Sequence, residues 1–405
     1  MNFSTPAIQP KNWGSFFTAI LFATGALAMF VLGFFLALIS VLTQPNIKTS
    51  EPVSVLMLAF GMVAIGLLLI PGFYFNVINF LGRPDTNNLA IKVDDRIFFS
   101  SLITLWLLSL MIGQAISTSQ PVASLFLPFL NFLAVCLPIV MYLRIGLRGI
   151  TLPSFRHVWT VFGASLVVSP ILALILEACV FGAFLAIYIL IVKFIPELNN
   201  QFSLMISTYE SSKQSEDAIM QLVANLLFSP GTAIAALGIF SVAIPFIEET
   251  FKIILLWLLK NQIHRPSDGF VLGTICGAAF ALVENISFTS LGYADWSSSA
   301  AVRASAALPH IFNSGLLGWA LISAKENHRY RQLAITFLAV TLVHGAWNAI
   351  SLGLAMNSLA AYVPIIPFYL RNSYPWIAGW ILLALAIFSG LIYNNSQMKK
   401  LQLAE

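Results

Sequence analysis

The stretch from Gly231 to Leu259 reads GTAIAALGIFSVAIPFIEETFKIILLWLL, and two adjacent glutamates stand inside an otherwise largely apolar run. A bilayer-spanning helix needs about 20 mostly apolar residues, and this run is long enough. A carboxylate at the centre of a bilayer costs roughly 2.5–3.5 kcal/mol on insertion scales, so such groups usually face a protein interior and serve a function. Glu248 and Glu249, followed by Lys252 one helical turn later, therefore predict a membrane helix with a functional polar site.

The composition extends this interpretation to the whole chain. Of its 405 residues, 59% are hydrophobic and only 9% are charged, whereas soluble domains carry about 25% charged residues. The chain is therefore expected to be a polytopic membrane protein. Its net charge of +4 is dispersed over short loops, which argues against a nucleic-acid partner. Its three cysteines lie in apolar runs and predict neither a disulfide framework nor a soluble zinc site.

Ten segments meet the length and hydropathy requirements of membrane spans. Each must be helical, because an isolated strand in lipid would leave its backbone groups without hydrogen bonds. The predicted fold class is all-α, a polytopic transmembrane helix bundle of about ten membrane-spanning helices. The fifth segment is unusually long, and Pro170 is a candidate break within it. The segments are residues 16–42, 53–80, 97–117, 122–146, 159–192, 232–259, 269–291, 303–324, 332–354 and 375–394.

Lysine and arginine placement predicts the orientation of these helices, because cytoplasmic loops carry an excess of both residues. With ten spans, fourteen of the twenty cations fall on the side that holds both termini, five fall on the other side, and Lys252 lies within a span. Both termini are therefore expected in the cytoplasm. The five cations on the outer side are Lys48, Lys193, Lys213, Arg303 and Arg371.

The spans and their connections divide the chain into four predicted parts. Residues 1–158 form a four-helix membrane region, and residues 159–230 form the long fifth helix and an external polar connector. Residues 231–355 form a helix core that contains most of the buried polar side chains, and residues 356–405 form the last membrane helix and a tail. Within the connector, residues 216–227 are either an amphipathic helix at the membrane interface or part of a solvated link.

Four consecutive helices of the predicted core carry most of the polarity inside the membrane. In the first of them, Pro245 removes a backbone hydrogen bond and predicts a kink just before the glutamates. Glu248 and Lys252 share a helical face, whereas Glu249 points about 100° away, so one carboxylate is expected to pair with the lysine while the other serves the chemistry. The next three helices carry Glu284 and Asn285, then Arg303, His310 and Asn313, then His344 and Asn348.

Glutamates and histidines inside a membrane support three kinds of chemistry, and the residues alone leave all three open. One of the adjacent glutamates could be the general base that deprotonates a water, with the histidines or Asn348 stabilising the oxyanion. His310, His344 and a glutamate such as Glu284 could instead bind a catalytic zinc ion, with ligands from separate helices because no HExxH motif is present. The same side chains could also relay protons in a proton- or solute-coupled transporter.

Four short motifs resemble those of the PrsW family of intramembrane proteases. Residues 248–252, EETFK, match the EExxK motif, and residues 280–285, FALVEN, are similar to FxxxEN. Residues 309–310, PH, and residues 344–348, HGAWN, resemble the two histidine motifs of that family. The wider clan includes the CAAX prenyl endopeptidases and bacteriocin-processing enzymes. The resemblance covers about residues 239–351, and the first four or five helices have no counterpart in it.

This resemblance implies an intramembrane endopeptidase that hydrolyses membrane-protein or membrane-anchored peptide substrates in or near a prokaryotic cytoplasmic membrane. The choice between glutamate-activated water and a zinc ion stays open, so no cofactor is certain, and either Glu248 or Glu249 could be the base. A transporter and a non-catalytic membrane relative are the alternatives. The implied catalytic residues are Glu248, Glu249, Glu284, His310 and His344, with Lys252, Asn285, Asn348, Arg303 and Asn313 in support.

Overall fold

The computed structural model describes residues 12–43, 51–83, 94–194, 216–291, 296–362 and 371–405, with isolated positions between 199 and 207. Within these ranges the regular structure is helical and contains no β-strand, which confirms the all-α class. The α-helices are α1 Trp13–Thr43, α2 Glu51–Phe80, α3 Asp95–Ser117, α4 Gln120–Gly146, α5 Phe155–Phe194, α6 Glu216–Phe228, α7 Pro230–Gly238, α8 Ile244–Lys252, α9 Ile254–Leu259, α10 Pro266–Leu291, α11 Trp296–Asn327, α12 Tyr330–Leu359 and α13 Tyr374–Ala404. A π-helix, Ile239–Ala243, joins α7 to α8, and 3₁₀ turns at Lys260–Gln262 and Ala360–Tyr362 follow α9 and α12.

Nine helical segments among the described residues are long and apolar enough to cross a membrane, which confirms the polytopic bundle. The predicted span at residues 303–324 lies in α11, which does not meet the same apolarity criterion. Its 32 residues exceed the roughly 20 that a span requires. Helix α11 can be less apolar than the other spans because most of it, from Ala304 onward, is buried within the protein. A helix surrounded by protein does not need the apolar surface that lipid demands.

Two prolines affect their spans in different ways. Helix α5 continues without interruption through Pro170, so the candidate break at that residue is wrong. Pro245 follows the π-helix as the second residue of α8, where the kink was expected, and the helix is interrupted again at Ile253.

Helix α6 falls on the segment predicted to be an amphipathic helix. The preceding part of the polar connector, residues 208–215, lies outside the described residues.

The chain divides into two compact units, each of which combines distant parts of the sequence. The first unit contains Met1–Pro170, Lys252–Thr336 and Phe388–Glu405. The second unit contains Ile171–Phe251 and Phe337–Ile387. The four-part division derived from the sequence stays a prediction.

In the first unit, α10 and α11 approach so closely that backbone meets backbone. Gly269, Gly273 and Gly277 recur every four residues along α10, and a Cβ atom at any of them would collide with a backbone carbonyl of α11. The carbonyl that faces Gly277 belongs to His310, and the one that faces Gly273 belongs to Ser314. Small residues at this spacing are a usual means of close helix packing in membranes. Glycine therefore sets the separation of these two helices.

In the second unit, α12 lies against the π-helix. A Cβ atom at Gly345 would collide with the carbonyl oxygen of Ser241, so the backbones of the two segments are in contact. The rings of Phe246 and Phe337 meet edge to face, with 5.3 Å between their centroids. These contacts hold α12 beside the segment that leads into the two adjacent glutamates.

We predict that Gly277→Ala destabilises the protein by about 1–3 kcal/mol, because the added methyl group forces α10 away from α11. Gly182→Ala is the matched control, since a Cβ atom there meets nothing within 4 Å. The control should leave stability unchanged or raise it slightly, as alanine is the better helix former. Thermal unfolding of both variants in the same detergent checks this, and equal behaviour of the two would contradict the close packing of α10 and α11.

Candidate functional site

The second unit brings Glu248 and Glu249 of α8 together with His344 of α12. All three side chains are buried, and Glu249 is fully enclosed. His344 Nδ1 and Glu249 Oε1 form a hydrogen bond of 2.9 Å. His344 Nε2 lies 3.7 Å from Glu248 Oε2, which is too long for a direct hydrogen bond. The two glutamates therefore contact opposite nitrogens of one imidazole ring.

This geometry assigns different roles to the two nitrogens of His344. With Glu249 ionised, its oxygens can only accept a hydrogen bond, so the proton between Glu249 and His344 then belongs to Nδ1. In the neutral ring, Nε2 then carries a lone pair directed toward the side of Glu248. One water could hydrogen-bond to both Nε2 and Oε2 across their 3.7 Å separation.

The backbone irregularity before α8 explains a further contact of α12. In the π-helix, the N–H of Ile244 donates to the carbonyl of Ile239 and not to that of Phe240. The next residue is Pro245, which has no N–H, so the helix itself offers no donor to the Phe240 carbonyl. Asn348 Nδ2 supplies it at 3.0 Å. Asn348 was expected to donate to an oxyanion, but in the structure its amide donates to this backbone carbonyl.

The first unit contains a second cluster, centred on Glu284 of α10. Arg303 Nη2 lies 2.8 Å from Glu284 Oε1, and His310 Nε2 lies 2.8 Å from Glu284 Oε2. Asn285 holds the arginine in place, since its Oδ1 accepts from Arg303 Nε at 2.8 Å and its Nδ2 donates to the Arg303 carbonyl at 2.9 Å. Both oxygens of Glu284 thus have cationic or N–H partners from α11, as a buried carboxylate requires.

Two aromatic residues complete this cluster, and neither was predicted from the sequence as a site residue. The ring of Phe288 lies 4.5 Å from the guanidinium carbon of Arg303. The ring of Phe280 lies 4.8 Å from the ammonium nitrogen of Lys252, and its centroid is 5.6 Å from that of His310. Residues 280, 284 and 288 recur every four positions on one face of α10, and this spacing is the signal that could have identified them. Their rings surround the charged groups with apolar surface and add cation–π contacts.

The sequence of the chain matches a family model described as PrsW family intramembrane metalloprotease over residues 154–371, more than half of its length. The chain belongs to the PrsW family. No curated protein and no solved structure matches it. The family inferred from the four motifs is therefore confirmed, and both clusters lie within the matched residues. The protein is an intramembrane protease, an integral membrane protein with several spans.

Most of the residues predicted for the site lie in these two clusters of the PrsW protein. Glu248, Glu249, His344 and Asn348 belong to the cluster of the second unit, and Glu284, Asn285, Arg303, His310 and Lys252 belong to that of the first. Asn313 is fully buried in α11. Arg303, which was counted among the outer-side cations, lies in α11 as a partner of Glu284. Its position is thus explained by pairing within the protein, and it is a weak marker of topology.

The description of the PrsW family implies a metal ion, and the side chains present fit one. His344 Nδ1 is hydrogen-bonded to Glu249, and His310 Nε2 lies 2.8 Å from Glu284 Oε2, and carboxylates placed in this way orient metal-bound imidazoles in many proteins. The separation of 3.7 Å between His344 Nε2 and Glu248 Oε2 is close to the roughly 3.3 Å between two ligands of a tetrahedral zinc ion. Glu284 was considered as a ligand, but its two oxygens already contact Arg303 and His310.

We predict that Asn348→Leu lowers the activity of this PrsW protein about tenfold, because the Phe240 carbonyl loses its donor and α12 shifts. Pro245→Ala should suppress much of this loss, since alanine at position 245 restores an N–H to the helix beside that carbonyl. The measurement is a double-mutant cycle of activity and thermal stability. Strictly additive effects of the two substitutions would contradict the proposed role of the carbonyl.

Proposed function

We propose that this PrsW protease hydrolyses peptide bonds of membrane-protein or membrane-anchored substrates in or near the bilayer, with Glu248 as the general base. The observation that supports this role is the position of Glu248, whose Oε2 lies 3.7 Å from His344 Nε2, a separation that one water can bridge. Glu249 binds His344 Nδ1, and Glu284 contacts both Arg303 and His310. Those two carboxylates are thereby engaged in orienting side chains, and Glu248 faces the opposite nitrogen of His344.

The proposed reaction begins at a water hydrogen-bonded to Glu248. The carboxylate takes one proton from the water while the oxygen adds to the scissile carbonyl carbon. The carbon–nitrogen bond then breaks as Glu248 passes that proton to the departing amine, which leaves a carboxylic acid and an amine. Glu249 keeps the imidazole of His344 in one tautomer and one orientation during these steps, the role of the orienting carboxylate in hydrolytic triads.

The histidine geometry favours lone-pair donation over oxyanion binding. In its neutral form, His344 uses its N–H on Glu249, so its other nitrogen has no proton to give to an oxyanion. That nitrogen suits a metal ion, so His344 is a proposed ligand, while Glu248 remains the base. A bound zinc ion would supply Lewis-acid polarisation of the scissile carbonyl. The role of Glu284 is then to orient His310.

Membership of a protease family favours hydrolysis over proton-coupled transport, the alternative that the buried charges had left open. The substrate class follows from the location of the residues, since the carboxylates and histidines lie on helices of a membrane bundle. A substrate must present its peptide bond at the membrane to reach them.

We predict that Glu248→Gln abolishes hydrolysis, with a loss of at least about 100-fold, because an amide cannot accept the proton of water. Glu249→Gln should retain more activity, since the amide oxygen can still accept from His344 Nδ1. The purified protein is reconstituted in liposomes. A membrane extract from cells that lack this protein supplies the substrates, and new peptide N-termini are counted by mass spectrometry. Glu326→Gln is the matched control, a more exposed glutamate that pairs with Lys325 and His264.

Two results would contradict the proposal. One is a wild-type protein that generates no new N-termini above those of the Glu248→Gln protein. The other is a Glu248→Gln protein that is as active as the wild type while the Glu249→Gln protein is inactive, because this would transfer the role of base to Glu249.

A further inference from the structure

Helix α11 begins with a tryptophan that is fully buried between the N-terminal helices. A Cβ atom at Gly113 of α3 would collide with the six-membered ring of Trp296, so the indole fills the space which that glycine leaves. Its Nε1 donates to Asn131 Oδ1 of α4 at 2.9 Å. The surrounding core is formed by Val53, Met57, Ala123, Leu127, Ala134 and Ala300.

The hydrogen bond between Trp296 and Asn131 restrains the start of α11 against α4. Both partners are buried, so loss of either one leaves a polar group without a partner in an apolar core. A shift or rotation of the indole against α4 would break this bond. Because α11 is continuous from Trp296 to Asn327, this restraint is transmitted along the helix.

The spacing along α11 connects this restraint to the cluster around Glu284. Trp296, Arg303 and His310 are separated by seven residues each, which is close to two helical turns, so they lie along nearly one stripe of the helix. Arg303 and His310 are the two residues that contact the oxygens of Glu284. A rotation of α11 at Trp296 would move both contacts together.

Helix α10, which carries Glu284, packs against α2. Ile286 follows Glu284 by two residues on α10 and is buried. A Cβ atom at Gly61 of α2 would collide with Cγ2 of Ile286, so the isoleucine occupies the notch at that glycine. The helices on both sides of the Glu284–Arg303 ion pair are thus seated against α2, α3 and α4. These three helices precede residue 154, where the match to the PrsW family begins.

We propose that α2, α3 and α4 form a positioning frame for the Glu284 cluster, with Trp296 and Asn131 as positioning residues. The inference rests on the proposed function, because it assigns these residues to the orientation of His310 through Glu284 and Arg303. It gives a role in catalysis to helices that lie outside the matched region of the family.

The experiment uses Trp296→Phe, Asn131→Leu and the double variant of the full chain in liposomes. Trp296→Phe keeps an aromatic ring but removes the N–H, and Asn131→Leu removes the acceptor at similar volume. Each single variant should lower kcat about tenfold, the effect of roughly one unsatisfied buried group, with KM changed by less than about twofold. The kcat of the double variant should be no lower than that of the less active single variant, because both substitutions remove the same bond.

A second readout does not require proteolysis. Dicyclohexylcarbodiimide modifies protonated carboxyl groups in apolar surroundings, so Glu284 should react slowly while Arg303 and His310 contact it. Mass spectrometry of the peptide that contains Glu284 should show faster labelling in each single variant. Trp257→Phe is the matched control, since Trp257 is exposed on α9, where its ring contacts Lys260, and it should change neither kcat nor the labelling rate.

Lower stability with unchanged kcat and unchanged Glu284 labelling in the folded fraction would overturn the inference, because Trp296 would then support the fold alone. Additive losses in the double variant would overturn the assigned hydrogen bond. If the wild type shows no proteolysis, the proposed function fails separately, and the labelling rate still decides whether the frame orients Glu284.

Discussion

A carboxylate cannot stay charged inside a membrane protein without a cation or hydrogen-bond donor close to it, and this constraint organises both clusters. Glu249 meets the constraint with His344, and Glu284 meets it with Arg303 and His310. Each pairing joins two helices, so the distance between those helices must be short and fixed. The glycines of α10, together with Gly345 of α12, provide that short distance, because larger residues would separate the backbones. Packing and chemistry are therefore parts of one arrangement: the glycines bring the helices together, and the carboxylate–histidine contacts set the ring orientations.

The π-helix before α8 is a local backbone irregularity that also creates a contact between two helices. The π-turn and Pro245 together leave the Phe240 carbonyl without a helix donor, and Asn348 satisfies it from α12. A π-helix is uncommon and is found frequently at functional sites. Here it directs the Phe240 carbonyl toward α12. On that helix, His344 lies four residues before Asn348, on the same face. The amide that a motif comparison would assign to chemistry is thus engaged in aligning α12, and the histidine on that face is oriented as a result.

The sequence was sufficient to predict the helical class and nine of the ten membrane spans, because long apolar runs are local properties. It also drew attention to the buried charged side chains, most of which lie in the two clusters. It could not predict which partner each side chain meets. Arg303 looked like an outer-side cation, but Glu284 and Asn285 of another helix decide its position. The break expected at Pro170 is absent because a long helix can continue through one proline. Phe280, Phe288 and the bond between Trp296 and Asn131 depend on contacts between helices that are distant in sequence, and no spacing rule specifies those contacts.

If Glu249 and Glu284 each fix one histidine tautomer, the protonated nitrogen of each ring shows it directly. The chain has five histidines, so ¹⁵N solid-state NMR of histidine-labelled protein in liposomes can resolve them, with single His→Asn variants for assignment. At mildly alkaline pH, His344 should carry its proton on Nδ1 and His310 on Nε2. The Nδ1–H signal of His344 should disappear in Glu249→Leu. A His344 ring that is protonated on Nε2 in the wild type, or that is unaffected by Glu249→Leu, would show that Glu249 does not fix the tautomer.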